Sequence, residues 1–235
     1  MRLDRYLSKT LRASNKQVKH WLEQGAVTVD GSICSRGDLS VSRFSRIVAN
    51  GHPLPCDTRH CFLMNKPAGV LSATRDAEHT TAIELLARQY PALALDDLHL
   101  AGRLDRATTG LLLLTNDGLW SKRLTRPEQK IPKTYLVTTA HPIDPNAAEQ
   151  FALGVRFDKE GVTTAPAQLQ RLADNQARLT IYEGMHHQIK RMFALYRNPV
   201  VALHRERMGH IVLEPGLAEG QARPLSQQEI QGALT

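Results

Sequence analysis

Apolar residues recur along this chain with two different periods. Near the start, Leu3, Leu7 and Leu11 stand at i, i+4 and i+8 with Tyr6 beside them, the stripe of an amphipathic helix. Ser14 followed by Gln17 predicts a capping box that opens a second helix. That helix turns Val18, Trp21 and Leu22 inward and has Gly25 placed to end it. Residues 26–29 then predict a strand, and Asp30-Gly31 a tight hairpin turn leading to Ile33. Residues 50–57 have the Pro and Gly density of a linker, which sets a small domain at 1–56 before a larger one at 57–235.

In the larger part, short strand-like and helical stretches alternate. Residues 62–64, 99–101, 110–114, 133–137 and 178–182 predict strands; residues 83–88 and 147–153 predict helices. Asn116-Asp117 predicts the cap of a further helix running to Leu124. The mixture lacks a regular βαβ rhythm, so the expected class is α+β with a mainly antiparallel sheet.

Composition narrows the function. The 235 residues are 42% hydrophobic, enough for one large core and a small satellite. The longest apolar runs, such as residues 111–114, fall far short of the roughly 20 needed to cross a bilayer. Charges at Arg2, Asp4 and Arg5 interrupt any secretory signal, which places the chain in the cytoplasm. Cys34, Cys56 and Cys61 are odd in number and lack CxxC spacing, so neither a disulfide framework nor a zinc site is expected. Lys and Arg number 30 against 23 acids, a net charge of +7, which favours a polyanionic partner. Nucleic acid leads and an anionic membrane surface trails. Arg2, Arg5, Lys9 and Arg12 fall opposite the first apolar stripe, and Lys16, Lys19 and His20 extend that side. It reads as a polar face of six Lys or Arg without acids, unlike an ordinary surface that interleaves both signs.

The familiar cofactor motifs are absent: no GxxxxGK[ST], no GxGxxG after a strand, no nucleophile elbow. His186 and His187 are adjacent and cannot share one metal as i, i+4 histidines do. No metal and no cofactor are expected. What remains is Asp105, in a loop between two apolar segments, with Arg103 and Arg106 beside it and Thr108-Thr109-Gly110 after it. Taken alone, such a carboxylate caps a turn or pairs with an arginine more often than it reacts.

Three segments raise Asp105 above that reading. GRLDRATTGLLLLTNDG resembles the catalytic loop of pseudouridine synthases, KTYLV the strand that carries their tyrosine, and EGMHHQIKRMF their third motif, in the family's order. The segments RLDRYLSKTL and SNKQVKHWLEQGAVTVDG resemble an αL-type RNA-binding domain. FLMNKPAGV, HRERMG and RPLSQQEI extend the likeness over nearly the whole chain. The sequence is identified as a member of the pseudouridine synthases of the ribosomal small-subunit type. It departs from them at Ala107, where a polar or acidic residue is frequent, and at Met185, where arginine is common.

The resemblance implies a pseudouridine-synthase catalytic domain behind an αL-type RNA-binding domain. It implies an isomerase of a 16S ribosomal RNA uridine that flips the base out of its stack. Asp105 would act as nucleophile or base toward the sugar, as carboxylates do in glycosyl chemistry. Burial disfavours a charged carboxylate, so a cation must face it, and the family position for that cation is Lys190. Arg191 next to it would point elsewhere, to phosphate. Tyr135 would stack on the uracil and relay protons, and Arg103 would enter the space the base leaves. Arg2, Arg5, Lys9, Arg12, Lys16 and Lys19 would contact RNA phosphates. Two alternatives stay open: a noncatalytic RNA-binding or ribosome-assembly protein, and the same chemistry on a large-subunit uridine. The expected partner is small-subunit ribosomal RNA, free or in an assembling particle, bound by a single chain away from any membrane.

Overall fold

A computed structural model of the chain describes residues 1–233, in two compact units, Met1–Arg59 and from His60 onward. In the first, α1 (Leu3–Leu11) and α2 (Asn15–Glu23) pack on a sheet of β1 (Val27–Val29), β2 (Ser32–Ile33), β3 (Ile47–Ala49) and β4 (His52–Pro53), in the order β2-β1-β3-β4. Ser14 and Gln17 form the expected capping box. Leu3, Leu7, Val18, Leu22, Val27 and Ile47 make the core, each apolar side chain contributing roughly 1.5–3 kcal/mol by leaving water. Leu11, expected in the same stripe, is exposed, because Arg12 turns left-handed and ends α1 beside it.

Asp30 and Gly31 both take positive φ, the geometry of the tight turn that joins β1 to β2. Asn50 and Gly51 do the same between β3 and β4. Residues 50–53 are therefore not a loose connection but a hairpin paired into the first unit.

The second unit is built on one nine-stranded sheet. Its elements are β5 (Cys61–Lys66), α3 (Ala82–Gln89), β6 (His99–Leu100), β7 (Thr109–Thr115), α4 (Gly118–Thr125), β8 (Lys133–Thr139), α5 (Ala147–Leu153), β9 (Arg156–Phe157), β10 (Val162–Thr163), β11 (Gln168–Ala173), β12 (Gln176–Ile181), α6 (Gln188–Ala194), β13 (Val200–Met208), β14 (Ile211–Val212), β15 (Ala222–Pro224) and α7 (Gln227–Gly232). The main path runs β11-β12-β8-β13-β7-β5-β15, with β6 on β7 and β14 on β13; β9 and β10 form a separate hairpin. Only the β13–β7 pair is parallel among the described strands.

Both faces of β7 are covered, which is why its sequence is an unbroken apolar run rather than an alternating one. Leu112 and Leu114 join Met64, Val137 and Leu179 on one face; Leu111 and Leu113 join Leu63, Trp120 and Met208 on the other. On the first of these faces, the loop after β6 and the loop before α6 come together.

Candidate active site

Asp105 lies in the loop from β6 to β7, and hydrogen bonds fix the backbone on both sides of it. Ser72 Oγ donates to the Leu104 carbonyl at 2.8 Å and accepts from the Leu104 N–H at 3.0 Å. The Arg106 carbonyl accepts from the Gly69 N–H at 2.9 Å and from Lys66 Nζ at 3.3 Å. Lys66 Nζ also donates to the Pro67 carbonyl at 2.8 Å. The Lys66 ammonium is wholly buried, and that burial pushes its pKa down to about 8, against the opposite pull of Asp105 and Glu219. The Asp105 side chain stays 32% exposed.

The facing loop is held as firmly. Gln188 is buried; its Nε2 donates to Glu183 Oε1 at 2.7 Å, and its Oε1 accepts from the Met185 N–H at 3.1 Å. Glu183 Oε1 also accepts from the Ala165 N–H at 2.9 Å. His187 follows with φ +52°, a left-handed conformation that a non-glycine residue keeps only where its surroundings enforce it. Its ring stacks on His186 with centroids 3.8 Å apart. This arrangement brings His187 Nε2 to 3.5 Å and Lys190 Nζ to 3.6 Å from the same oxygen, Asp105 Oδ2. Neither contact falls on Oδ1.

Tyr135 on β8 is 7% exposed and walls the same cavity, of about 630 Å³, with Ile181, Ile189 and Leu203. Asp105, Lys190, His187 and the exposed Arg103 line it as well. The result is a half-apolar cleft with one fixed carboxylate, two nitrogens on one of its oxygens, and an aromatic hydroxyl. A second cavity of about 670 Å³, lined by Arg178, Glu206 and Glu214, contains none of these groups.

Arg191, one helical step from Lys190, does not line the cavity: it pairs with Glu160 at 2.5 Å and lies 3.7 Å over the Phe157 ring, tying α6 to the β9–β10 hairpin. One expectation needs correction: the polar side of α1 and α2 is not free of acids. Asp4 pairs with Arg2 at 2.5 Å and Glu23 with Lys19 at 3.7 Å, so of the six cations on this side Arg5, Lys9, Arg12 and Lys16 stand exposed without an ion pair among the described residues.

Sequence reasoning missed Lys66, His187 and Arg205. In the sequence His187 stands out only as a metal-ligand candidate, though its place three residues before Lys190 also singles it out. Lys66 sits inside FLMNKPAGV, where a lysine reads as surface.

Residues 60–195 match the RNA pseudouridylate synthase family and residues 1–47 match the S4 domain. The chain is 44% identical to the ribosomal small subunit pseudouridine synthase A of Pseudomonas aeruginosa, covering 98% of this chain and 99% of that one. It is 42% identical to the Escherichia coli (strain K12) protein of the same name, covering 100% of both. A crystal structure of a pseudouridylate synthase matches with a TM-score of 0.70 and 39% identity, over 99% of each chain.

Proposed function

This chain belongs to the RNA pseudouridylate synthase family, and from that membership we propose that it isomerises one uridine of 16S ribosomal RNA to pseudouridine, with Asp105 as the reacting carboxylate. The reaction breaks the bond from ribose C1′ to uracil N1, turns the freed ring, and joins C5 to the same C1′. C5 loses a proton and N1 gains one, so no redox partner or energy input is required. A carboxylate that attacks or deprotonates the sugar divides this into easier steps.

The observation that carries the reading is Asp105 Oδ2 held 3.6 Å from Lys190 Nζ in a cleft walled by Tyr135. Lys190 and His187 fix one carboxylate oxygen, so the other reacts. Tyr135 stacks on the flipped uracil, and Arg103 fills the gap the base leaves, offsetting an extraction cost of a few kcal/mol. The S4-type unit adds phosphate contacts that position the RNA without reading it. None of the described helices is long and apolar enough to cross a membrane, and we place the enzyme in the cytoplasm as a single chain.

The test is pseudouridine formation on small-subunit ribosomal RNA by the wild type and Asp105→Asn. The variant is expected to lose activity by roughly a thousandfold or more while binding RNA as before. Mapping pseudouridines in both ribosomal RNAs of a strain lacking the protein should show one missing from the small subunit. Equal product from the two proteins overturns the role of Asp105, and a loss confined to the large subunit overturns the substrate.

A further inference from the structure

Arg205 on β13 is 2% exposed, yet no carboxylate pairs with it among the described residues. Its Nε donates to the Leu111 carbonyl at 2.7 Å. Its Nη1 lies 3.5 Å from the Tyr135 hydroxyl, with Cζ 6.0 Å from the Tyr135 ring centroid. Its Nη2 is buried and has no hydrogen-bond partner among the described residues. Register explains the placement: Arg205 stands directly opposite Tyr135 across the β13–β8 pair. Glycine makes it possible, because a Cβ at Gly110 on β7 would collide with the Arg205 backbone. A second cation stands two residues before Tyr135: Lys133, whose pKa burial and Arg205 together push down to about 8.

Removing a guanidinium from water without a counter-charge is expensive, and proteins retain such an arrangement where negative charge appears during function. We propose that Arg205 is a positioning residue for Tyr135. It holds the hydroxyl oxygen as an acceptor, so that the phenolic proton points into the cleft, and it balances the negative charge on that oxygen midway through the reaction. This deepens the reading of Tyr135 as the proton relay and rests on it. The bookkeeping closes within the site. When the C1′–N1 bond breaks, Tyr135 gives its proton to N1; after C5 bonds to C1′, the C5 proton passes to the Tyr135 oxygen. Tyr135 ends as it began, and no other reactant is consumed.

A purely structural Arg205, tying β7 to β13 through Leu111, makes a different prediction. The experiment is single-turnover conversion of a small-subunit ribosomal RNA transcript carrying either uridine or [5-²H]uridine, with thermal unfolding and RNA affinity measured on the same proteins. Arg205→Gln is expected to slow conversion roughly 100-fold with RNA affinity unchanged. Its deuterium isotope effect should exceed that of the wild type, because proton loss from C5 becomes limiting. Arg205→Lys should recover part of the rate and an intermediate isotope effect, and it reads the same quantity if the glutamine variant does not fold. Adding Arg205→Gln to Tyr135→Phe should cost little more than Tyr135→Phe alone. An unchanged isotope effect, or a rate loss that merely follows lost thermal stability, overturns the role of Arg205. A wild type that forms no pseudouridine overturns the functional reading instead.

Discussion

Lys66 spends its charge on two carbonyls, those of Pro67 and Arg106, and the second belongs to the residue after Asp105. Its pKa is pushed down from 10.5 to about 8, so the fold disfavours the ammonium form. Between those two values the unfolded chain binds more protons than the folded one, and stability therefore rises with pH across that window. Below it the penalty is present in full. Relative to Lys66→Met, the wild type is expected to gain roughly 2–3 kcal/mol on going from about pH 7 to 10.5, measured by urea unfolding of both proteins. A stability gap that stays constant with pH would show that the Lys66 ammonium is not held at a cost. The methionine variant also leaves the Arg106 carbonyl without its ammonium donor. Its turnover should fall about tenfold with RNA affinity retained, since the Asp105 loop loses one of its anchors.

At the scale of elements, α6 shows how one short helix serves two purposes. Ile189, Met192 and Phe193 bury it, Lys190 faces Asp105, and Arg191 braces it against the β9–β10 hairpin through Glu160 and Phe157. Arg191→Gln should therefore cost about 1 kcal/mol of stability and lower turnover while leaving the salt dependence of RNA binding as it was. Glu160→Gln in the same protein should add little, since both changes break one contact. A flatter salt dependence for Arg191→Gln would instead make it a phosphate contact. Local elements of this kind were legible where a short pattern carries its own mechanism: the Ser14–Gln17 capping box, the Asp117 cap of α4, the Asp30-Gly31 turn. Residues 50–53 misled because a two-residue strand is too short to show alternation, so Pro and Gly density outweighed the Asn50-Gly51 turn signal. Asp105, Tyr135 and Lys190 were found through family resemblance, not periodicity, because their meeting depends on strand order in the sheet. Arg205 lies within HRERMG, but nothing in that segment marks it as buried: residue type says surface, and only the closeness of β13 to Gly110 puts it inside.

For the whole molecule, a net charge of +7 matters less than which cations are already committed. Arg2 and Lys19 carry acidic partners, whereas Arg5, Lys9, Arg12 and Lys16 are exposed and have no ion pair among the described residues. Each phosphate neutralised by a free cation releases counterions and adds about 0.7–0.9 to the slope of log affinity against log salt. Changing Arg5, Lys9, Arg12 and Lys16 together to glutamine should therefore lower that slope by up to about 3, as read from RNA binding at several salt concentrations. Changing Arg2 and Lys19 should do less, because Asp4 and Glu23 already balance them and would be left unpaired. Conversion at saturating RNA should be unaffected by either set, since these side chains hold the substrate and touch none of the reacting atoms. If the four-residue variant kept the full slope, the charge that meets RNA would have to lie on the second unit, and the S4-type unit would be serving something other than phosphate attraction.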